Sequence, residues 1–302
     1  MTSRTIVLKM SPFFTVVVPT YNRANLIGKT IESLLRQEFA DFEIIVIDDG
    51  STDNTEEVVR AFTDRRISYH KQKNAERGAA RNLGTQKANG QYVNFVDSDD
   101  LVYPNHLSSA LEVINNFSKP EFFHLAYDIK TPDGNLIGKM DSWSEESIGK
   151  VLYDNCLSCN GVFIRKDIAM MFPFVEDRRL ASSEDWQLWI RLISRYKLQF
   201  SNTITTTVII HDQRSLLTIP TQRVITRDTI LIDTLKDDEA VRNLYRSSFN
   251  KFIADRYTFF MLRLAEDKKR KEVMEWAWKA FQVYPLIFFS KRFLASLKNS
   301  LR

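Results

Sequence analysis

Two hydrophobic periods alternate along the first hundred residues. FFTVVVPTYN (13–22) is apolar but for Thr15 as far as Val18, where Pro19 stops it, and FEIIVIDDGS (42–51) is apolar but for Glu43 before ending in acids. Runs without a polar face suit strands covered on both sides, as in a parallel sheet. Between them, NLIGKTIESLLRQ (25–37) sets Leu26, Ile27, Ile31, Leu34 and Leu35 at helical spacing. STDNTEEVVRAF opens a second helix with Ser51 or Asp53 as its cap. RISYH reads as a short third strand, AERGAARNLGTQKA as a helix and QYVNFVDSDD as a fourth strand. Strand–helix alternation with short connections predicts a doubly wound α/β sheet.

The pattern then changes. A helix over 104–117 precedes the strand EFFHLAYDIK, and the turn signal Asp133-Gly134 moves the expectation toward a mixed sheet. NGVFIRK and the β-branched LQFSNTITTTVIIHD read as further strands. SSEDWQLWIRLISRY (182–196) is a helix whose Trp186, Leu188, Trp189 and Leu192 need cover. From about Thr221 the pattern is helical, which puts a boundary near 220. The expected division is an α/β domain over 1–220, in halves of about 13–103 and about 104–220, and a helical subdomain over 221–302.

At 302 residues and 44% hydrophobic content the chain can build a sizeable core. The net charge is +4, but from Arg256 onward eleven Lys or Arg face four Asp or Glu. Basicity therefore belongs to the tail, and it argues poorly for nucleic acid. Cys156 and Cys159 form a lone CxxC without the further Cys or His that a zinc site needs, which favours two small half-buried residues over a redox pair. MTSRTIVLKM lacks a long apolar core and a cleavage pattern, and no run approaches a membrane span. A cytoplasmic setting is the expectation, with peripheral placement at the inner face of a membrane through the tail.

Three polar clusters follow buried apolar runs: PTYNR after the first strand, DDGS after the second and DSDD after the fourth. In an open parallel sheet, ligands bind beyond these carboxyl ends. Asp97, Asp99 and Asp100 crowd like charges into four positions, which repel unless a cation offsets them. A solvated turn is the plain alternative. Asp97-x-Asp99 offers hard oxygens for Mg²⁺ or Mn²⁺ shared with substrate phosphates. Asp48 and Asp49 suit a base N–H or ribose hydroxyls, and Tyr21 suits a heterocycle face. Arg77 or Arg81 suits a diphosphate, against the plainer reading of a solvated helical arginine. Neither GxxxxGK[ST] nor GxGxxG occurs, which removes the P-loop and dinucleotide fingerprints.

VVVPTYNR, IIVIDDGSTDNT, GAARNLG, YVNFVDSDD and SSEDWQLWIR, in that order and spacing, resemble a family 2 glycosyltransferase of the GT-A fold over about residues 13–215. The resemblance implies a GT-A type doubly wound mixed sheet flanked by helices, with a C-terminal helical extension. It implies an inverting reaction that moves a sugar from a nucleotide-diphosphate sugar, a UDP-sugar first, to a hydroxyl of a glycan or lipid-linked acceptor in surface-polysaccharide assembly. By the same resemblance Pro19, Tyr21, Asp48 and Asp49 line the nucleotide pocket, and Arg77, with Arg81 second, meets base and phosphates. Asp97 contacts ribose and metal, Asp99 is the metal ligand proper, and Asp185 is the general base with Glu184 its understudy. An N-terminal helix acid is the plain reading of Glu184-Asp185. His211 is either a third metal contact or a polar strand end. Rival functions are a sugar nucleotidyltransferase and a non-catalytic nucleotide-binding or membrane-associated module.

The tail interleaves Trp276, Trp278, Phe281, Tyr284, Phe288, Phe289 and Phe293 with Lys279, Lys291, Arg292, Lys298 and Arg302. Either these aromatics pack a helical subdomain, or they attach the chain to anionic lipid. No nucleic-acid stacking motif accompanies them.

Overall fold

The structure is a computed structural model that describes residues 11–211 and 219–300. The N-terminal stretch read for a leader and Arg302 lie outside the described residues. By internal packing the chain falls into two units. One comprises residues 1–142, 158–173 and 199–209, and the other 143–157, 174–198 and 210–302.

The first unit holds a nine-stranded mixed sheet. Its strands are β1 (Phe14–Thr20), β2 (Phe42–Asp48), β3 (Ile67–Lys71), β4 (Tyr92–Phe95), β5 (Leu101–Val102), β6 (Phe122–Lys130), β7 (Leu136–Met140), β8 (Val162–Arg165) and β9 (Gln199–Ile209). The order is β3-β2-β1-β4-β8-β6-β9-β5, with β7 paired to β6. The β3-β2-β1-β4 block is parallel, whereas β8 runs antiparallel to both β4 and β6. This is the mixed, curled sheet of the GT-A fold, as the resemblance implied.

Period two explains why β1 needs no polar face. Phe14, Val16 and Val18 pack with Ile44 and Val46 of β2 and with Ile27, Ile31 and Leu34 of α1 (Ile27–Leu35). On the other face, Val17 meets α3 (Glu76–Lys87) so closely that a Cβ on Gly84 would stand 2.3 Å from Val17 Cγ1. Only glycine permits this approach, which brings the later turns of α3 close over β1. Each fully buried aliphatic side chain contributes about 1.5–3 kcal/mol. The helices α2 (Thr55–Arg60), α4 (His106–Asn116) and α6 (Lys166–Met171) complete this unit.

The second unit is helical: α5 (Glu145–Ile148), α7 (Glu184–Ile193), α8 (Thr221–Lys236), α9 (Glu239–Leu244), α10 (Phe249–Glu266), α11 (Arg270–Val283) and α12 (Lys291–Ser300). Its core joins Val224 and Ile225 to Phe260, Met261, Leu264, Val273, Ala277, Ala280 and Phe293. Asp228 is fully buried between the guanidiniums of Arg227 and Arg256. A carboxylate taken from water at that depth requires such partners. Helix α7 is fastened within the same unit, where Trp186 Nε1 donates to Val151 O at 2.6 Å and Trp189 lies edge-on to Phe174. No helix among the described residues is long and apolar enough to cross a membrane.

Candidate active site

The loop after β1 is tied to the loop after β2. Asn22 adopts φ 50°, and its N–H donates to Ser51 Oγ at 2.9 Å while its Oδ1 accepts from Thr52 N at 2.8 Å. Asparagine tolerates this left-handed conformation better than most residues. Arg23 N donates to Thr55 Oγ1 at 2.9 Å. Beside this knot Tyr21 is 46% exposed, and Pro19 lies inside β1 in register with Ile47. The phenol ring therefore stands open at the carboxyl end of the parallel strands.

The two acids of IIVIDDGS build the floor. Asp48 is fully buried, and its carboxylate accepts from Ser51 N and from the Tyr69 hydroxyl, both at 2.6 Å. Burial, and then the bond to Asp48, holds the Tyr69 hydroxyl protonated far above its ordinary range. Asp49 accepts from Gln72 Nε2 at 2.7 Å and from Ala75 N and Glu76 N at 2.8 Å. The accepting capacity of Asp49 is thus used to fix the loop before α3, and that of Asp48 to fix the turn after β2 and the Tyr69 hydroxyl on β3. Gly50, at φ 86°, has the backbone of Asn74 where a Cβ would be. Arg77 is half-buried in the first turn of α3.

The acidic cluster has a partner for each member. Carboxylate oxygens of Asp97, Asp99 and Asp100 lie within 4.8 Å of one another. Arg81 Nη2 donates to Asp97 Oδ1 at 2.8 Å, and Arg23 Nε stands 3.4 Å from Asp99 Oδ2. Asp100, fully buried, accepts from Ile209 N and from Asn160 Nδ2, both at 2.8 Å. Carboxylates and arginine guanidiniums thus meet at this one turn. The donor set is all carboxylate oxygen, which fits Mg²⁺ or Mn²⁺ rather than a thiolate-seeking metal. Arg81 is 1% exposed, so its guanidinium is placed to orient Asp97.

A buried amide chain stands behind the cluster. Asn160 Oδ1 accepts from Asp97 N at 2.9 Å while its Nδ2 holds Asp100, so a single side chain clamps both ends of the turn. Asn94 Nδ2 donates to the carbonyls of Asn160 and Val162, both at 2.9 Å. Asn94 Oδ1 is then left to accept from His106 Nε2 at 3.2 Å, which places the imidazole proton on Nε2. His106 Nδ1 accepts from the Thr205 hydroxyl at 2.9 Å. Burial holds His106 neutral, with its pKa lowered to about 3. The sequence reading assigned no role to Arg23, Asn94, Asp100 or Asn160. For the two asparagines there was a signal: each interrupts or borders an apolar strand run, YVNFV and NGVFI.

Glu184 and Asp185 open α7 in the second unit. Glu184 is 3% exposed, and its Oε2 accepts from Ser182 N at 2.7 Å beside the φ 76° of Ser182. Asp185 is half-buried, and its Oδ1 accepts from Trp186 N at 2.7 Å and Asn155 Nδ2 at 3.1 Å. Asp185 is therefore the more accessible of the two. His211 is half-buried two residues beyond β9. Burial, and then Asp154, pushes the Cys156 thiol up to about 11, away from the thiolate that redox chemistry needs.

The profile of "Glycosyl transferase family 2" matches residues 15–173. The chain belongs to this family. A glycosyltransferase of Rickettsia bellii of uncharacterized role is 35% identical over 185 residues, covering 60% of this chain and 26% of that protein. The family member UDP-Glc:alpha-D-GlcNAc-diphosphoundecaprenol beta-1,3-glucosyltransferase WfgD of Escherichia coli is 31% identical over 183 residues, covering 59% of this chain and 68% of that one. The chain spans 26% to 30% of the length of the first Rickettsia relatives. In fold it is similar to S. aureus TarS 1–349 solved in complex with UDP-GlcNAc, with a TM-score of 0.70 at 17% identity, over 96% of this chain and 90% of that one.

Proposed function

We propose that this family member is an inverting glycosyltransferase that moves a sugar from a UDP-sugar to a hydroxyl of a glycan or lipid-linked acceptor in surface-polysaccharide assembly. The observation that carries the reading is the convergence of Asp97, Asp99 and their arginines at the carboxyl end of β4, in the same unit as the exposed ring of Tyr21. The WfgD name contains UDP-Glc and a diphosphoundecaprenol acceptor, and TarS was solved with UDP-GlcNAc, which supports the donor and acceptor classes.

Tyr21 stacks on the base, over the loops that Pro19, Asp48 and Asp49 shape, while Arg77 meets the phosphates. Asp97 and Asp99 would hold a divalent cation, with His211 as a further contact, and Arg81 keeps Asp97 in place. When bound, the cation stabilises charge on the departing diphosphate without proton transfer. The acceptor oxygen bonds to the anomeric carbon as the bond to the diphosphate breaks, and its proton passes to Asp185. Asp185 rather than Glu184 suits this work because Glu184 is buried and Asp185 is the more accessible of the two. The setting is cytoplasmic, at the inner face of a membrane.

The test is product release from UDP-sugars supplied with Mn²⁺ and glycan or polyprenyl-diphosphate acceptors. UDP release that depends on acceptor, with the opposite anomeric configuration in the product, is expected. Pyrophosphate release from nucleoside triphosphate and sugar phosphate would replace the reading with nucleotidyl transfer.

A further inference from the structure

The aromatics of the tail do not act as one group. On α11, Val273, Ala277 and Ala280 face the helical core. Trp276 packs against Tyr257 and Phe260 of α10, with ring centroids 5.0 and 4.9 Å away, and Phe293 is 3% exposed. These residues satisfy the packing reading. Met274, Trp278 and Phe281 form a second stripe at i, i+4 and i+7, and helical geometry puts them on one face. Trp278 is 60% exposed and stacks on Phe281 at 5.9 Å. The turn that follows adds Leu286 and Phe289, 62% and 78% exposed. Large apolar side chains left in water at this density mark a contact surface.

The charge around the stripe selects its partner. Between Lys268 and Ser300 there are eight Lys or Arg against two Glu. Four of these bases, Lys268 to Lys271, are consecutive and exposed at the start of α11, and Arg270 and Lys271 border the same open groove as Met274 and Trp278. Lys291 and Arg292 follow Phe289 after Ser290 and are exposed, with Arg292 Nη1 3.0 Å from Asp255 Oδ2. Aromatic side chains ringed by bases match an anionic lipid interface, where the rings enter the headgroup layer and the bases meet phosphate.

We infer that the face formed by α11 and the turn at 285–289 is a docking surface for an anionic lipid bilayer. The inference needs no donor, metal or turnover, so it can fail or stand separately from the transferase reading. The experiment is sedimentation of the full chain with phosphatidylcholine vesicles, with and without 30% phosphatidylglycerol, beside the double variant Trp278→Ala/Phe289→Ala. Both side chains are exposed, so the variant is expected to keep its melting temperature. Wild type should bind the anionic vesicles at least about ten-fold more tightly than the neutral ones, and less tightly in 0.5 M salt. The variant should lose about ten-fold or more. Equal binding to both vesicle types, or none to either, overturns the inference. So does a concentration-dependent dimer that the double variant dissolves, because the occupant is then a second copy.

Discussion

The clamp at Asn160 makes the most exposed claim about how the acidic turn is held. In Asn160→Ala the Asp97 N–H and the Asp100 carboxylate each lose a buried partner at once. A hydrogen bond to a charged group is worth about 1.5–3 kcal/mol, and stranding a buried donor costs about 1–3 kcal/mol more. Asp100 keeps its bond from Ile209 N, so the low end, about 2.5 kcal/mol, is the expected cost. For a domain of this size it lowers the melting temperature by about 5–10 °C. Asn160→Asp keeps the shape but sets a carboxylate against Asp100. Like charges in contact repel once both are ionised, so this variant loses stability as pH rises. The assay is differential scanning fluorimetry at pH 5 and pH 8, with Mn²⁺ affinity measured by electron paramagnetic resonance. Asn160→Ala should melt earlier at both pH values and bind Mn²⁺ less tightly, and Asn160→Asp should lose more at pH 8 than at pH 5. A melting temperature within about 2 °C of wild type in Asn160→Ala, with unchanged Mn²⁺ affinity, would refute the clamp.

Other consequences are equally direct. Gly84→Ala drives a Cβ into Val17 and should cost about 1–3 kcal/mol in urea unfolding, whereas an unchanged midpoint would mean that α3 can shift freely. His106 and His124 are both held neutral by burial, with pKa values lowered to about 3. The unfolded chain binds those protons near pH 6.5 and the folded chain does not, so stability falls as pH drops below that point. At pH 5.5 the loss is about 1.4 kcal/mol for each histidine, and a urea midpoint equal at pH 7 and pH 5.5 would contradict it. Asp185→Asn should lower sugar transfer by about 10²–10⁴-fold while leaving UDP affinity within two-fold, measured by turnover and calorimetry. Equal turnover would remove Asp185 from the reaction.

Period and punctuation in the sequence were enough to locate β1, β2, β4 and the helices between them, because each buries a continuous run or a single stripe. They also placed the acids at strand ends. Two-residue β5 carries no pattern to read, since its strand character comes from pairing with Thr206 and Thr207 of β9, about a hundred residues away. The same distance hides the Asn160 clamp, because nothing local to NGVFI says which turn its amide will meet. Arg81 looked like a solvated or phosphate-facing helical arginine, and its burial against Asp97 depends on Gly84 bringing α3 onto β1. Segments 143–157 and 174–198 pack with the C-terminal helices, which no composition shift announces. In the tail, a two-residue offset along α11 decides which tryptophan is core and which is surface.

The central claim is that Asp97, Asp99 and their surroundings receive a nucleoside diphosphate together with a divalent cation. Calorimetric titration of UDP into wild type and Asp99→Ala, each with and without Mn²⁺, tests it most directly. Metal-dependent UDP binding is expected in wild type and not in Asp99→Ala, with about 2.7 kcal/mol of added stability at 100 times Kd. Absence of binding by UDP, GDP, dTDP and CDP to wild type under every metal condition would contradict the account.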